Sequence, residues 1–497
     1  MSLVSVPNLS PDSRRWASLM VVCLAQLMIV LDVTIVNVAL PSIQHDLHFS
    51  QANLTWVVNA FLVTFGSLLL LAGRLGDLAG RKRVFLAGVV TFTVASLLCG
   101  IAPSSGVLIG ARFLQGVGAA AQASVILAII VTEFPEAHER ARAMSAYVFV
   151  SVAGGSIGLL AGGILTQALS WHWVFFVNLP IGAATFALGQ ALIRGDRGLG
   201  LGHGVDWVGS ALVTTSLMSA IYAIVQATNH GWGSIQVLGF GGLALVLMGA
   251  FIALETRIEN PIMPLRILRL HGLVNASLVR GVMVTGMYST FFLATLYLEH
   301  VRHYSALQTG AAFLPWTLTV AVLSQGITAR LVDRFGPLRV LTVGMLAVVS
   351  GLLVFATVGP HTAFFPTVFF GNFAIGLGLG LAFMPLLTLA MEDVPAADAG
   401  LGSGITNVSQ QISGALGLAV LSTLADNHTK GLLADHHGLT SSLIGGYHLA
   451  FITGAAVIAA GIFLAFLLLR PKAPQLVLAE NEPAPVRTNF DMEKQAA

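Results

Sequence analysis

Cysteine is nearly absent: only Cys23 and Cys99 occur in 497 residues, and both sit inside apolar runs. No disulfide framework and no CxxC-type metal site fits that usage. Charge is scarce as well. Asp, Glu, Lys and Arg make up 9% of the chain, against roughly 25% in an average soluble domain. That deficit excludes an ordinary soluble enzyme, and a 56% hydrophobic content excludes a disordered chain. The formal net charge of +2 offers no basic surface for nucleic acid. Catalytic and nucleotide signatures are scarce too: the sequence has no HExxH and no GxxxxGKS or GxxxxGKT. Enzymatic activity is therefore not expected, ATP is not expected as an energy source within this chain, and no cofactor is expected beyond an ion gradient.

What is present is long apolar runs. They lie near residues 16–40, 53–72, 84–102, 106–132, 143–168, 173–193, 206–227 and 235–254, then near 273–298, 308–329, 338–358, 362–391, 400–424 and 447–469. Since a bilayer-spanning helix needs about 20 apolar residues, these runs predict fourteen spans. The first ends at Pro41, exceeds a signal-peptide core in length and lacks an A-x-A site after it, so it reads as a retained helix. With the N-terminus in the cytoplasm, twenty of the 24 Lys and Arg fall on the cytoplasmic side and two, Arg302 and Lys430, outside. Arg112 and Arg280 lie within spans. Such a split is what the positive-inside rule expects of an even-numbered topology with both termini cytoplasmic. The longest outer loop, about 426–446, carries His428, His436 and His437 beside Asp435. It reads as a solvated, titratable loop rather than a metal site.

The second-to-third loop, Gly73-Arg-Leu-Gly-Asp77-Leu-Ala-Gly80-Arg81-Lys82-Arg83, has a second copy at Ala329-Arg-Leu-Val-Asp333-Arg334-Phe-Gly336-Pro-Leu-Arg339. The two aspartates are 256 residues apart. The repeat predicts an all-α polytopic membrane protein of 6 + 2 + 6 helices. Its expected parts are a cytoplasmic N-terminus (1–15), a six-helix bundle (16–193), two inserted helices with flanking loops (194–271), a second bundle (272–469) and a disordered cytoplasmic tail (470–497). Parallel halves are the build of a transporter with a central site. In the loop itself, glycine permits a tight turn, and Asp77 is suited to accept hydrogen bonds at a neighbouring helix N-terminus. Gly73, Asp77, Gly80, Arg81 and Lys82, with Asp333, Arg334 and Gly336, are expected to form a matched latch.

Of the 22 acids only Asp32 is well inside a span, about 13 Å below Pro41 at 1.5 Å per residue. An intramembrane carboxylate is costly and points to function. Arg112 lies at similar depth in the fourth span, placed to pair with it or to share a water-filled cavity. Arg112, Gln115, Ala119 and Gln122 fall on one helix face, as a cavity lining would. Asn37, Arg280, Asn407 and Gln411 complete the expected substrate cavity, although interhelical hydrogen bonding explains the strip Ser403, Asn407, Gln410, Gln411 and Gly414 equally well. Gly154, Gly158, Gly162 and Gly163 read as a helix-packing stripe.

Four segments resemble motifs of a known family. They are Leu31-Asp32-Val-Thr-Ile-Val-Asn37-Val-Ala-Leu-Pro41, the Gly73–Arg83 loop, Arg112-Phe-Leu-Gln115-Gly116-Val-Gly118, and Trp171-His-Trp173-Val-Phe-Phe-Val-Asn178-Leu-Pro180-Ile-Gly182. Together, from about Arg15 to Arg470, the chain resembles the fourteen-helix drug:proton antiporters of the major facilitator superfamily, the EmrB/QacA branch. It departs from them at Gly158-Leu159, where the family's antiporter motif has Gly-Pro, and at Pro337-Leu338, where the second loop copy lacks Arg-Lys. The resemblance implies proton coupling through Asp32 and Arg112. It also implies export of amphiphilic small molecules across the plasma (inner) membrane, with substrate, protons and lipid as the partners and a monomer allowed. A single mid-membrane acid favours monocationic or neutral cargo. The alternative is a dedicated exporter of one endogenous lipid or natural product on the same fold.

Overall fold

The computed structural model describes residues 10–49, 54, 56–196, 198, 200, 206–258, 261 and 263–469. The expected tail at 470–497 lies outside them. Helices dominate: α1 (Pro11–Asp46), α2 (Trp56–Ala79), α3 (Arg81–Gly100), α4 (Ser105–Glu133), α5 (Ala137–Ala168), α6 (Asn178–Leu192), α7 (Trp207–His230) and α8 (Ile235–Glu255) come first. Then follow α9 (His271–Leu296), α10 (Leu314–Ser324), α11 (Pro337–Phe355), α12 (Phe369–Glu392), α13 (Ala399–Ala434) and α14 (Leu439–Leu468). Among the described residues, thirteen helices are long and apolar enough to cross a membrane, and α10 is a shorter apolar helix.

Local sequence explains the departures from the predicted spans. The run at 308–329 is not one helix. It divides into Ala306–Ala312, α10 and Ile327–Phe335. Pro315 lacks the N–H that would bond back across Phe313, and Gly326 takes φ +90°, a conformation that glycine adopts without steric cost. Conversely, α1 does not stop at Pro41 but runs through it to Asp46. Its other end is set by Pro11 in the first turn and by the Ser10 hydroxyl, which accepts from Ser13 N at 3.2 Å.

α1 packs on α5 and α6, and α4 packs on α2 and α3. In the second set α9 packs on α12, α13 and α14, and α12 packs on α10 and α11. The sets meet where α2 and α4 touch α13 and where α5 touches α10 and α12. α7 lies against both α2 and α13, and α8 lies on α7. Lipid offers little hydrophobic drive between helices, so close backbone contact must supply the packing energy. A Cβ on Gly88 would sit 2.6 Å from Gln122 N, and one on Gly344 would sit 2.7 Å from Gly378 O. Those two glycines stand 256 residues apart, the same offset as the loop aspartates, so the repeat extends into the packing of α3 on α4 and α11 on α12.

Gly88→Leu and Gly344→Leu are each expected to lower the thermal unfolding midpoint of the purified chain, because overpacking costs about 1–3 kcal/mol or more. Gly106→Leu, where a Cβ meets nothing within 4 Å, should leave that midpoint unchanged. The stripe on α5 follows the same logic. Cβ atoms on Gly154, Gly158 and Gly162 would meet Val30, Thr34 and the Ile35 carbonyl of α1. Gly163 does not belong with them: a Cβ there meets nothing within 4 Å, since it lies one residue, and so about 100°, around the helix.

Candidate functional site

Asp32 and Arg112 come together inside the first set of helices. Arg112 Nη1 lies 2.5 Å from Asp32 Oδ2, and Asp32 and Arg112 are 0% and 1% exposed. The pair is embedded in a polar cluster. Arg112 Nη1 also donates to Gln115 Oε1 at 2.6 Å, and Arg112 Nε donates to the Val57 carbonyl at 2.8 Å. Gln115 Nε2 donates to Asp32 Oδ1 at 2.7 Å and to Ser96 Oγ at 2.9 Å. Asn178 Nδ2 donates to Asp32 Oδ1 at 3.2 Å. The guanidinium lies over the Phe61 ring, 4.6 Å from its centroid. A buried ion pair recovers its desolvation cost only when hydrogen bonds satisfy the remaining lone pairs and protons, and here Val57 on α2, Gln115 on α4 and Asn178 on α6 supply them.

Helix periodicity creates the cluster. Arg112 and Gln115 are three apart on α4 and so share a face. Asn178 opens α6 just after the one-turn helix Trp173–Phe176. Asn178 and Ser96 are contributors that sequence reasoning missed. An amide in the apolar opening of the sixth span was the available signal.

The expected cavity residues separate. Gln115 belongs to the ion-pair cluster, and Gln122 is fully buried. Neither lines open space in this conformation. Asn37 is exposed, and among the described residues it bonds its own helix, Nδ2 to Val33 O at 3.0 Å. Arg280 is 1% exposed and does not snorkel. It donates to Gln410 and to the Thr406 carbonyl, and lies over the Phe383 ring. Asn407 Nδ2 crosses between the helix sets to the Ala123 carbonyl at 3.2 Å. Gln411 is half-buried, near the approach of α7 to Gly66. The side chain of Leu159 lies outside the described residues, and the α5 backbone continues through it without a break.

The first loop copy sits at the N-terminus of α13, on the face where the basic loops cluster. Asp77 Oδ1 accepts from Gly400 N and Oδ2 from Leu401 N, both at 2.8 Å. Arg81 Nη2 lies 3.2 Å from the same carboxylate, and its Nη1 donates to Thr132 Oγ1 at 2.7 Å. A carboxylate on a helix N-terminus is stabilised by unpaired N–H groups and the helix dipole. Gly80 turns at φ +99°. Asp196, unforeseen from sequence, caps the next helix by accepting from Arg81 N and Lys82 N, while Lys82 Nζ donates to the Gln190 carbonyl. Asp398, also unforeseen, binds Arg266 at 2.8 Å and lies 3.9 Å from Arg74.

The second copy is not equivalent. Asp333 is half-exposed and meets His138 Nδ1 at 2.9 Å, near the start of α5. Arg334 lies over the Phe335 ring, and Gly336 turns at φ +83° ahead of Pro337. An exposed pair of this kind is worth about 0–1 kcal/mol. Asp333→Asn is therefore expected to change the spacing between α5 and α10, read by spin-label distances, far less than Asp77→Asn changes that between α2 and α13.

Repeated sets of apolar helices enclosing a buried carboxylate–guanidinium pair define a polytopic membrane transporter. The profile of the Major Facilitator Superfamily matches residues 22–418. The chain is 39% identical over 459 residues to the puromycin resistance protein pur8 of Streptomyces alboniger, covering 91% of this chain and 90% of that protein. It is 35% identical to the cephamycin export protein CmcT of Amycolatopsis lactamdurans, covering 86% and 89%. Among solved structures, the proton:xylose symporter XylE superposes with a TM-score of 0.65 at 12% identity, over 93% of this chain and 97% of that one. That last likeness speaks to fold alone. The chain belongs to the Major Facilitator Superfamily.

Proposed function

We propose that this chain exports amphiphilic small molecules, monocationic or neutral, across the plasma (inner) membrane by proton-coupled alternating access. Its basic face and both termini are then cytoplasmic. No reaction chemistry and no cofactor beyond the proton gradient is assigned to it. The observation that carries the reading is the Asp32–Arg112 pair: one carboxylate, fully buried, held by a guanidinium that has other partners to fall back on. When a proton neutralises Asp32, Arg112 keeps the Val57 carbonyl, Gln115 Oε1 and the Phe61 ring. The pair can therefore open with the guanidinium still hydrogen-bonded, which limits the cost of a buried cation left without its counter-charge. Asp32 touches no open space in this conformation, so coupling to cargo runs through the release of Arg112 and the helices that hold it.

The conformation itself supports alternating access. The helix sets meet at the basic face through Asp77 and Gly400, and near mid-span through Ser156 and Thr317 hydroxyls 2.6 Å apart. Asn37, nearer the opposite face, is exposed. Closure at the basic face fits the outward-facing state of such a cycle. Energetically, one charge crossing 100 mV yields about 2.3 kcal/mol, which supports roughly a 50-fold gradient per proton.

A narrower reading is favoured by the names of the relatives. Puromycin resistance and cephamycin export are each named for one antibiotic, which suits a dedicated natural-product exporter on the same fold. Proteoliposomes with an imposed pH gradient and a compound panel test both. Gradient-driven flux of many amphiphiles supports the broad reading, and flux of one compound supports the narrow one. Flux indifferent to the pH gradient removes proton coupling.

A further inference from the structure

Three donors converge on the Asp32 carboxylate: Arg112 Nη1 on Oδ2, and Gln115 Nε2 with Asn178 Nδ2 on Oδ1. That constellation suits an ionised carboxylate, which only accepts. A neutral carboxylic acid carries an O–H and needs an acceptor of its own. Arg112 has none to give, because a guanidinium only donates. The Gln115 carbonyl already accepts from Arg112 and lies 3.7 Å from Cys99 Sγ. Ser96 Oγ serves Gln115 and donates to the Phe92 carbonyl. One acceptor remains beside the carboxyl: Asn178 Oδ1, buried and without a hydrogen-bond partner among the described residues.

We infer that Asn178 is the positioning residue that senses the protonation state of Asp32, by turning its amide over. The inference rests on the reading of Asp32 as proton carrier. In the ionised state the Asn178 N–H donates to Oδ1. When a proton from the outer aqueous side settles on that oxygen, the donor must leave and an acceptor must replace it. Half a turn about the terminal amide torsion exchanges Nδ2 for Oδ1 without moving the backbone. The charged or titratable groups turned toward Asp32 are Arg112 from α4 and Cys99 from α3. The other elements offer neutral groups: the Val57 carbonyl and Phe61 ring from α2, glycine from α5, and the Asn178 amide from α6.

The place of Asn178 in the fold gives the flip a consequence. It opens α6, one residue after the joint at Val177 that separates the helix from Trp173–Phe176. Two residues on, Pro180 supplies no N–H, so the first turn of α6 is weakly tied to the segment before it. That segment is anchored to the outer end of α1 through Trp171 Nε1, which donates to Asp46 Oδ2 at 2.8 Å. Proton state at mid-membrane is thereby linked to the outer α5–α6 connection.

Infrared difference spectra, acid minus neutral pH, on the full chain in lipid nanodiscs provide the test. Asp32→Asn identifies the carbonyl band of protonated Asp32. Asn178→Thr and Asn178→Val are near-isosteric, so folding is affected alike, but only Thr can donate or accept. The band is expected at higher wavenumber in Asn178→Val and near its wild-type place in Asn178→Thr. Gradient-driven efflux should be roughly tenfold lower in the Val variant, matching loss of one hydrogen bond to a charged group. A band present but unmoved in Asn178→Val overturns the sensing role alone. No Asp32 band in the wild-type chain overturns the proton-carrier reading and this inference with it.

Discussion

An Asp32→Asn chain is expected to insert, fold and exchange substrate down its gradient while losing proton-driven accumulation altogether. The amide cannot take up and release a proton, so the driving reaction disappears rather than weakens. Insertion survives because Arg112 retains the Val57 carbonyl, Gln115 and the Phe61 ring, and the substituted amide offers a carbonyl oxygen of its own. Some loss of stability is nonetheless expected, since removing the negative partner leaves a buried cation, a change that costs about 3–5 kcal/mol where nothing compensates. Arg112→Gln added to Asp32→Asn should recover stability without recovering drive. Fluorescent-substrate uptake into inverted vesicles, with and without an imposed pH gradient, separates the two effects. Full proton-driven efflux by Asp32→Asn would remove Asp32 from the mechanism.

The second large effect is expected at the basic face. A Cβ on Gly73 would sit 2.5 Å from the Gly400 carbonyl oxygen, and one on Gly400 would sit 2.6 Å from Asp77 Oδ1. The obstacle at Gly73 is backbone, so no side chain can swing away. Gly73→Val should therefore force α2 and α13 apart at the face where Asp77 caps α13. Overlaps of this kind cost about 1–3 kcal/mol or more, enough to shift a two-state population by about one to two decades. Spin labels on α2 and α13 should report a wider separation at the basic face in Gly73→Val, with transport lost. Asp77→Asn removes the charge from two backbone hydrogen bonds and should move the same distance in the same direction, less far. Both substitutions leaving the wild-type distance unchanged would show that the Gly73–Gly400 contact does not set the closed state. The native cysteines help this experiment, because Cys23 and Cys99 are buried.

Much of the architecture was legible because the bilayer imposes strong rules. Length of apolar runs located most of the spans, and the similar depths of Asp32 and Arg112 left the two placed either to pair or to share a water-filled cavity. Asp77 was recognisable as an acceptor at a helix N-terminus, but the helix in question, α13, begins more than 300 residues later, and no local pattern names it. Gln115 and Gln122 misled for a related reason. A polar stripe on one helix face says that the face meets something polar, not whether that is water, cargo or another helix. The role of Asn178 was not legible, because a lone amide in an apolar run has many bland explanations, and only the convergence of three donors on one carboxylate gives it meaning. The break of the tenth span lay in plain sight at Pro315 and Gly326, yet total apolarity outweighed them.

The inserted pair α7 and α8 gives the molecule an unequal girdle. α7 lies across the junction of α2 and α13, with Trp56 stacked on Tyr222 at 5.8 Å and Ile221 against Gly66. The corresponding junction of α5 with α10 has no inserted helix over it among the described residues, and Ile157, Leu314 and Leu318 are exposed along that flank. One flank between the helix sets is thus covered by two further helices, while the other presents its own apolar side chains at the molecular surface.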